Sequence, residues 1–519
     1  MKSHLTIELS IVGAYIAILV LVGAFMARRQ TTTDRYFVAH RSIPGWAMGL
    51  SMFATIITAV TVIAYPGAAY AGNWSLLVPG FMALGVLVLA GFIIIPFFRH
   101  VVGMSAYEYF GKRFSYKIRV YSSLAFAAGH FAKMGFVLYL LGLTVTSITG
   151  WNIDVIIVGV GIATIAYTLM GGMEAVVWTD VVQTGILWIG IIIVLVYIIA
   201  GTPGGWHASM RLAMQSDKLS LGSLSPSLTK PTVLVLTLYG FFFYLQKYTA
   251  DQTLVQRYLI ARTDREALRG IAIGALLCIP VWALFMLIGT LLWGYYRITG
   301  DALAPAVHKA DQVFPSFLSI HFSPLTAGLF LAALFGAAMA SMASDLNCIS
   351  VVGVEDFYRR FRPNAEDASA LRFGKIFVAV CGVFTIALSA ALAHSHGGAL
   401  SLYYTITGIV AGGLAGLFLL AFLSRRANAT GAAVGVVASL AVTTWATLTM
   451  HDGAMVDLGR WNYGWNSYMI GVVGNIVLLV VGYVASVFVG APVHNVENLT
   501  LHGWLKRHSA GRKKSVARS

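Results

Sequence analysis

Residues 44–72 read PGWAMGLSMFATIITAVTVIAYPGAAYAG. The stretch is apolar enough to cross a bilayer as a helix, yet it carries Thr55, Thr58 and Thr61 at its centre and Pro66 and Gly67 beyond. Hydroxyls and a helix breaker at that depth predict an interrupted helix, and unwound backbone at the midplane is tolerated only where it lines a cavity. A second such segment, YLQKYTADQ at 244–252, places Lys247 and Asp251 inside another apolar run. The two lie five helices apart, which predicts two five-helix repeats of opposite orientation, each opening with a broken helix.

Composition agrees with a membrane protein. Hydrophobic residues make up 58% of the 519 positions and charged residues 11%, against about 25% charged in an ordinary soluble domain. A bilayer-spanning helix needs about 20 apolar residues, and the chain offers roughly thirteen such runs. They lie near 6–26, 44–72, 77–98, 119–148, 153–171, 176–201, 231–258, 268–296, 323–355, 374–393, 398–423, 430–450 and 464–490. The predicted organisation is an extra helix and loop at 1–43, a first repeat at 44–201, an outside loop at 202–230, a second repeat at 231–423, two further helices at 424–490 and a basic tail at 491–519.

Lys and Arg collect after alternate runs: Arg28, Arg29, Arg35 and Arg41; Arg99, Lys112, Arg113, Lys117 and Arg119; Arg257, Arg262, Arg265 and Arg269; Arg359, Arg360 and Arg362; Arg425 and Arg426; and the tail from Lys506. Basic loops stay cytoplasmic, so the N-terminus is expected outside and the C-terminus inside a cell membrane. The same dispersal accounts for the formal charge of +15 without a nucleic-acid partner, since a nucleic-acid footprint is a continuous basic face. Topology and attraction to anionic lipid explain that charge better, and the tail reads as a disordered solubilising end, with lipid headgroups as the alternative contact. Basic residues follow the first run rather than precede it, so it is expected to remain as a helix and not to be cleaved. Cys278, Cys348 and Cys381 all sit in apolar runs and form no metal or disulfide spacing. No phosphate loop, nucleophile elbow or zinc pair appears, so enzyme chemistry is not expected. No pattern specifies an oligomeric state.

Five ionisable residues interrupt apolar runs: Lys133, Asp180, Lys247, Asp251 and Asp345. A charge at bilayer depth costs at least ~2.5 kcal/mol, so each should face a partner or a watery path. Lys133 and Asp345 read either as solute or ion contacts or as a fixed pair between helices. Lys247 and Asp251 read as an i,i+4 pair or a solute contact. Asp180 reads as an ion-path residue or as a carboxylate favoured by a helix N-terminus. His130, one turn before Lys133, reads as a packing histidine.

Six ordered segments then carry a resemblance: 43–61 (IPGWAMGLSMFATIITAVT), 104–114 (MSAYEYFGKRF), 167–183 (YTLMGGMEAVVWTDVVQ), 251–270 (DQTLVQRYLIARTDREALRG), 333–350 (ALFGAAMASMASDLNCIS) and 408–432 (GIVAGGLAGLFLLAFLSRRANATGA). From about residue 8 to 490 the chain resembles the solute:sodium symporter family. The resemblance implies an all-α LeuT-like fold, a secondary active transporter and sodium as transported co-substrate. It implies a main sodium site at the carbonyls of Ala54, Ile57 and Ala337 with the Ser341 hydroxyl, where Ala340 departs from the family's pattern by lacking a second hydroxyl. A second site seen in some members falls on Asp180 and Ser344. Asp345 is an added carboxylate beside it, on a possible ion path, and a proton is the alternative coupling ion. Lys133 falls where sialic acid carriers place an arginine, with Thr58 and Thr61 at hydroxyl positions around the same group. Lys247, flanked by Tyr244 and Tyr248, falls near the substrate of sugar carriers. Ile56, Val60 and Thr61 replace the polar residues that hold a sugar there. The expected cargo is therefore a small organic anion, such as a monocarboxylate or sugar acid, with a neutral solute or a non-transporting sensor as the alternatives. Tyr403 and Tyr404 are further candidates for the cavity wall.

Overall fold

The computed structural model describes residues 2–305, 307, 309–394, 413–450, 455–490 and 497–507. Tyr403 and Tyr404, the first part of the run expected at 398–423 and most of the tail lie outside the described residues. The rest is helical, with an isolated bridge pairing Ile43 and Ala261. The principal helices are α1 (Lys2–Ala27), α2 (Gly45–Ile56), α3 (Ala59–Ala71), α4 (Leu77–Val86), α5 (Phe92–Val101), α6 (Tyr116–Thr149), α7 (Ile153–Gly201) and α8 (Val233–Thr249). They continue with α9 (Gln252–Leu259), α10 (Asp264–Thr299), α11 (Pro324–Val352), α12 (Asp367–His394), α13 (Leu414–Leu423), α14 (Ala429–Leu448) and α15 (Tyr468–Val489). Among the described residues, eight helices are long and apolar enough to cross a membrane, or ten if each of two bent pairs is one span.

The bent pairs are α2 with α3, at 60°, and α4 with α5, at 70°. The first break falls at Ile57 and Thr58, both extended, rather than at Pro66, which sits inside α3. Thr58 N–H turns to Thr61 Oγ1 at 3.5 Å; the last carbonyls of α2 are thereby left without helical partners, as at any helix end. A second interruption, at Ala250 and Asp251, separates α8 from α9. The runs expected at 153–171 and 176–201 are joined without a loop. Gly172, at φ 55° and ψ −153°, turns the chain inside α7.

Small residues set how closely these helices approach. A Cβ at Gly49 would lie 2.6 Å from Gly270 O, and one at Gly274 would lie 2.8 Å from Gly49 O. The backbones of α2 and α10 therefore pack nearly in contact, as at membrane helix interfaces generally. At the centre stands α11, packed against α7, α1, α2 and α6. Of its most apolar window 83% is buried, against 33% for α7, so α11 is enclosed by protein and its polar residues face other helices.

Candidate transport site

Two buried polar clusters and one small cavity meet around the breaks. The first cluster is a chain of five side chains. On α6, His130 and Lys133 share a face; on α11, Asp345 is fully buried. Lys133 Nζ lies 2.9 and 2.8 Å from the two carboxylate oxygens of Asp345. His130 Nδ1 is 2.8 Å from Asp345 Oδ1, and its Nε2 is 3.2 Å from Asp251 Oδ2. Lys247 Nζ is 2.5 Å from the same Oδ2. Asp251 sits in the second break, where its Oδ1 caps α9 by accepting the N–H of Thr253 at 2.9 Å and the Thr253 hydroxyl. A neutral imidazole carries a single N–H, yet both nitrogens of His130 face carboxylate oxygens. His130 therefore bridges the two carboxylates, and the lysines end the chain on either side. Both lysine side chains are about one-fifth exposed, 19% for Lys133 and 20% for Lys247, whereas the carboxylates are closed off.

The second cluster surrounds Arg257, the largest fully buried side chain among the described residues. Its Nη2 is 3.2 Å from Asp180 Oδ2 and 2.6 Å from Ser344 Oγ. Its Nε donates to Ser51 Oγ at 3.2 Å and its Nη1 to Thr253 O at 2.7 Å. Ser51 Oγ donates to Asp180 Oδ2 at 2.5 Å, and Thr55 Oγ1 meets Ser344 Oγ at 3.1 Å. Sequence reading counted Arg257 among the basic residues of a cytoplasmic loop; that assignment is corrected here. The residue lies on α9, folded back inside the protein, and its guanidinium stands between Asp180 and Ser344.

The cavity has room for about one water-sized particle. Ala54, Ile57, Gln183, Thr184, Ala337 and Ala340 line it, which brings together three of the positions matched to the main sodium site. Ser341 is not part of this lining, but its hydroxyl is buried and has no hydrogen-bond partner among the described residues. Thr58 and Thr61 cap the start of α3. Tyr248 is packing: its hydroxyl donates to Ala83 O at 2.7 Å. Tyr244 is buried, its ring 6.4 Å from that of Tyr248 and 6.3 Å from Trp282.

Membrane-length helices, two of them interrupted around buried charge, define a helical membrane transporter. Residues 36–439 match the model of the sodium:solute symporter family, and the chain belongs to that family, a family of transporters and not of enzymes. The sodium/sialic acid symporter NanT of Aliivibrio fischeri is 32% identical over 477 residues, 91% of either chain. The sodium/sialic acid symporter SiaT of Proteus mirabilis is 31% identical over 483 residues, 92% of this chain and 95% of that one. A solved structure, described as the substrate-bound outward-open state of a Na+-coupled sialic acid symporter, superposes with a TM-score of 0.84 at 30% identity and covers 93% of this chain and 98% of that one. Mhp1, a nucleobase-cation-symport-1 family transporter, superposes at 0.54 with 16% identity and shares the fold alone.

Proposed function

We propose that the chain is a sodium-coupled symporter that carries a small organic anion into the cell by alternating access. The observation that carries the reading is that the Lys133–Asp345–His130–Asp251–Lys247 chain ends on both sides in a part-exposed ammonium group while its carboxylates are closed off. An anion meets Lys133 or Lys247 at that exposed side, and the relatives that transport sialic acid make a sugar acid the first cargo to test. Thr58 and Thr61 stand at the neighbouring break as hydroxyl contacts. Sodium sits at the end of α2, held by the carbonyls of Ala54, Ile57 and Ala337 with Ser341 nearby, and thereby ties α2 to α11. Ion and solute then raise each other's affinity by one factor.

For Asp180 and Ser344 the reading we favour is a fixed partnership with Arg257, whose guanidinium supplies the positive charge that a second sodium would bring. Thirteen spans follow if α7 crosses twice, α8 with α9 crosses once and the run at 398–423, which ends in α13, adds one more to the ten, giving repeats at 44–201 and 231–423, an outer N-terminus and a cytoplasmic C-terminus. Reconstituted protein tests the function. Labelled sialic acid, a short monocarboxylate and a hexose are offered to proteoliposomes, with sodium and proton gradients imposed separately. Accumulation of an anion under an inward sodium gradient is expected; preference for the hexose would overturn the anion reading. A second reading, proton coupling, is favoured by His130 between its two carboxylates, and uptake driven by a proton gradient without sodium would establish it.

A further inference from the structure

We infer that the side-chain amide oxygen of Gln183 is a ligand of the transported cation, taking the place of the hydroxyl that Ala340 lacks. The inference rests on the sodium-coupled reading of the same cavity and adds to it a residue that the family pattern does not supply. A hard cation of this size takes oxygen donors and leaves few positions open. The carbonyls of Ala54, Ile57 and Ala337 offer three, while the methyl of Ala340 contributes an apolar wall.

Gln183 faces the same cavity from α7, three residues beyond Asp180. It is 3% exposed. Its Nε2 donates to the hydroxyl of Tyr15 on α1 at 3.0 Å, which fixes the amide and directs Oε1 away from that contact. Oε1 is fully buried and accepts no hydrogen bond among the described residues. Buried amide oxygens are nearly always paired, so an orphan calls for an explanation; a cation in the small cavity that Gln183 lines would give it one. The adjacent Thr184 is spent differently, its hydroxyl donating to Asp180 O at 2.8 Å.

Gly336 makes the approach feasible. It lies one turn before Ala340 on α11, and a Cβ there would come 3.1 Å from Tyr15 Oη and 3.5 Å from Gln183 Cγ. Tyr15 and Gln183 thus lean on α11 at a position without a side chain. In this arrangement Tyr15 is a positioning residue, acting through the amide.

The test measures the melting temperature of the purified protein against sodium chloride, with choline chloride holding ionic strength constant and no solute present. A ligand at free concentration L that binds only the folded state stabilises it by RT ln(1 + L/Kd), so the rise of melting temperature with sodium yields the half-saturating concentration, Kd. Gln183→Leu should raise the half-saturating sodium concentration by about ten- to a hundredfold, the usual range for losing a group that supports a metal ion. Adding Ala340→Ser to that variant should recover most of the loss, because the hydroxyl returns to the position it holds in the family pattern. Tyr15→Phe should weaken sodium by a smaller factor. If Gln183→Leu does not fold, Gln183→Glu decides: it keeps an oxygen in the cavity and should make sodium stabilisation fall with acidification, as protons compete for the new carboxylate. A half-saturation in Gln183→Leu equal to the parent's, a loss that Ala340→Ser does not repair, or a Gln183→Glu variant with the parent's pH profile would each overturn the inference. Absence of any sodium effect in the parent would instead remove the sodium-coupled reading itself, and this inference with it.

Discussion

Asp251 and Asp180 are both buried aspartates partnered by a basic side chain, and Arg257, which holds Asp180, lies on the helix that Asp251 caps. Around Asp180 the cation is a guanidinium with no exposed surface, and four of its hydrogen bonds end on Asp180, Ser344, Ser51 and Thr253. Around Asp251 and Asp345 the cations are ammonium groups on flexible stems, each one-fifth exposed and each free to exchange a carboxylate for something else. A planar fork saturated by fixed acceptors makes a fastening; a part-exposed point charge keeps donors to spare. The comparison separates charge that is closed off between helices from charge that the proposed anion could reach.

The sharpest way to break that distinction is at Arg257. Arg257→Met should leave Asp180 buried without its charge partner, at a cost of about 3 to 5 kcal/mol, seen as poor expression and a much lower melting temperature. Neutralising both groups, as Asp180→Asn with Arg257→Met, should restore much of the stability. If the single variant melts with the parent, the fastening role is lost.

Lys133→Ala should instead abolish anion uptake with a smaller fall in melting temperature, because Asp345 keeps His130 at 2.8 Å. Lys133→Arg should retain part of the uptake, since charge survives and only geometry changes. Well-folded Lys133→Ala protein that binds the anion with parental affinity would show that Lys133, too, is a fastening.

His130 sharpens the same contrast, because its two ring nitrogens meet Asp345 at 2.8 Å and Asp251 at 3.2 Å and so join the two lysine–aspartate pairs. His130→Ala should lower anion uptake in proteoliposomes at fixed sodium by severalfold, less than Lys133→Ala does. Uptake equal to the parent's would show that the two pairs act independently. The smallest effect is expected at Ser341, whose buried hydroxyl has no hydrogen-bond partner among the described residues. Ser341→Ala should raise the sodium concentration needed for half-maximal uptake by a few-fold while leaving expression intact, and an unchanged sodium curve would take the hydroxyl out of the ion's surroundings.

How much of this was legible depended on contrast with the neighbours in the chain. Lys133, Asp180, Lys247, Asp251 and Asp345 stand out because each interrupts an apolar run, and all five belong to the two clusters. Arg257 did not stand out. It lies at the polar end of the run at 231–258, in DQTLVQRYLIAR, where it merges with the basic cluster that follows, and the break at Asp251 opens the helix that carries it. His130 was read as packing because its role depends on two carboxylates more than a hundred residues away. Gln183 carries no charge and so left no mark on hydropathy; the one signal available was the missing hydroxyl at Ala340, which asked for an oxygen from elsewhere.

Gly172 has a consequence for how the protein is made. Its backbone lies close to the region that only glycine enters readily, and a Cβ there would sit 2.6 Å from Tyr36 O. The chain turns at that residue with no loop on either side, while a straight helix of 49 residues would reach about 74 Å, more than twice the ~30 Å hydrocarbon core. On the proposed reading that α7 crosses twice, two segments joined so tightly have no tether long enough to let one settle in the bilayer while the other waits in water. They would leave the insertion machinery together, and a side chain at position 172 should be felt first during biogenesis, as a failure of the nascent protein to reach the membrane, before any effect on transport could be measured.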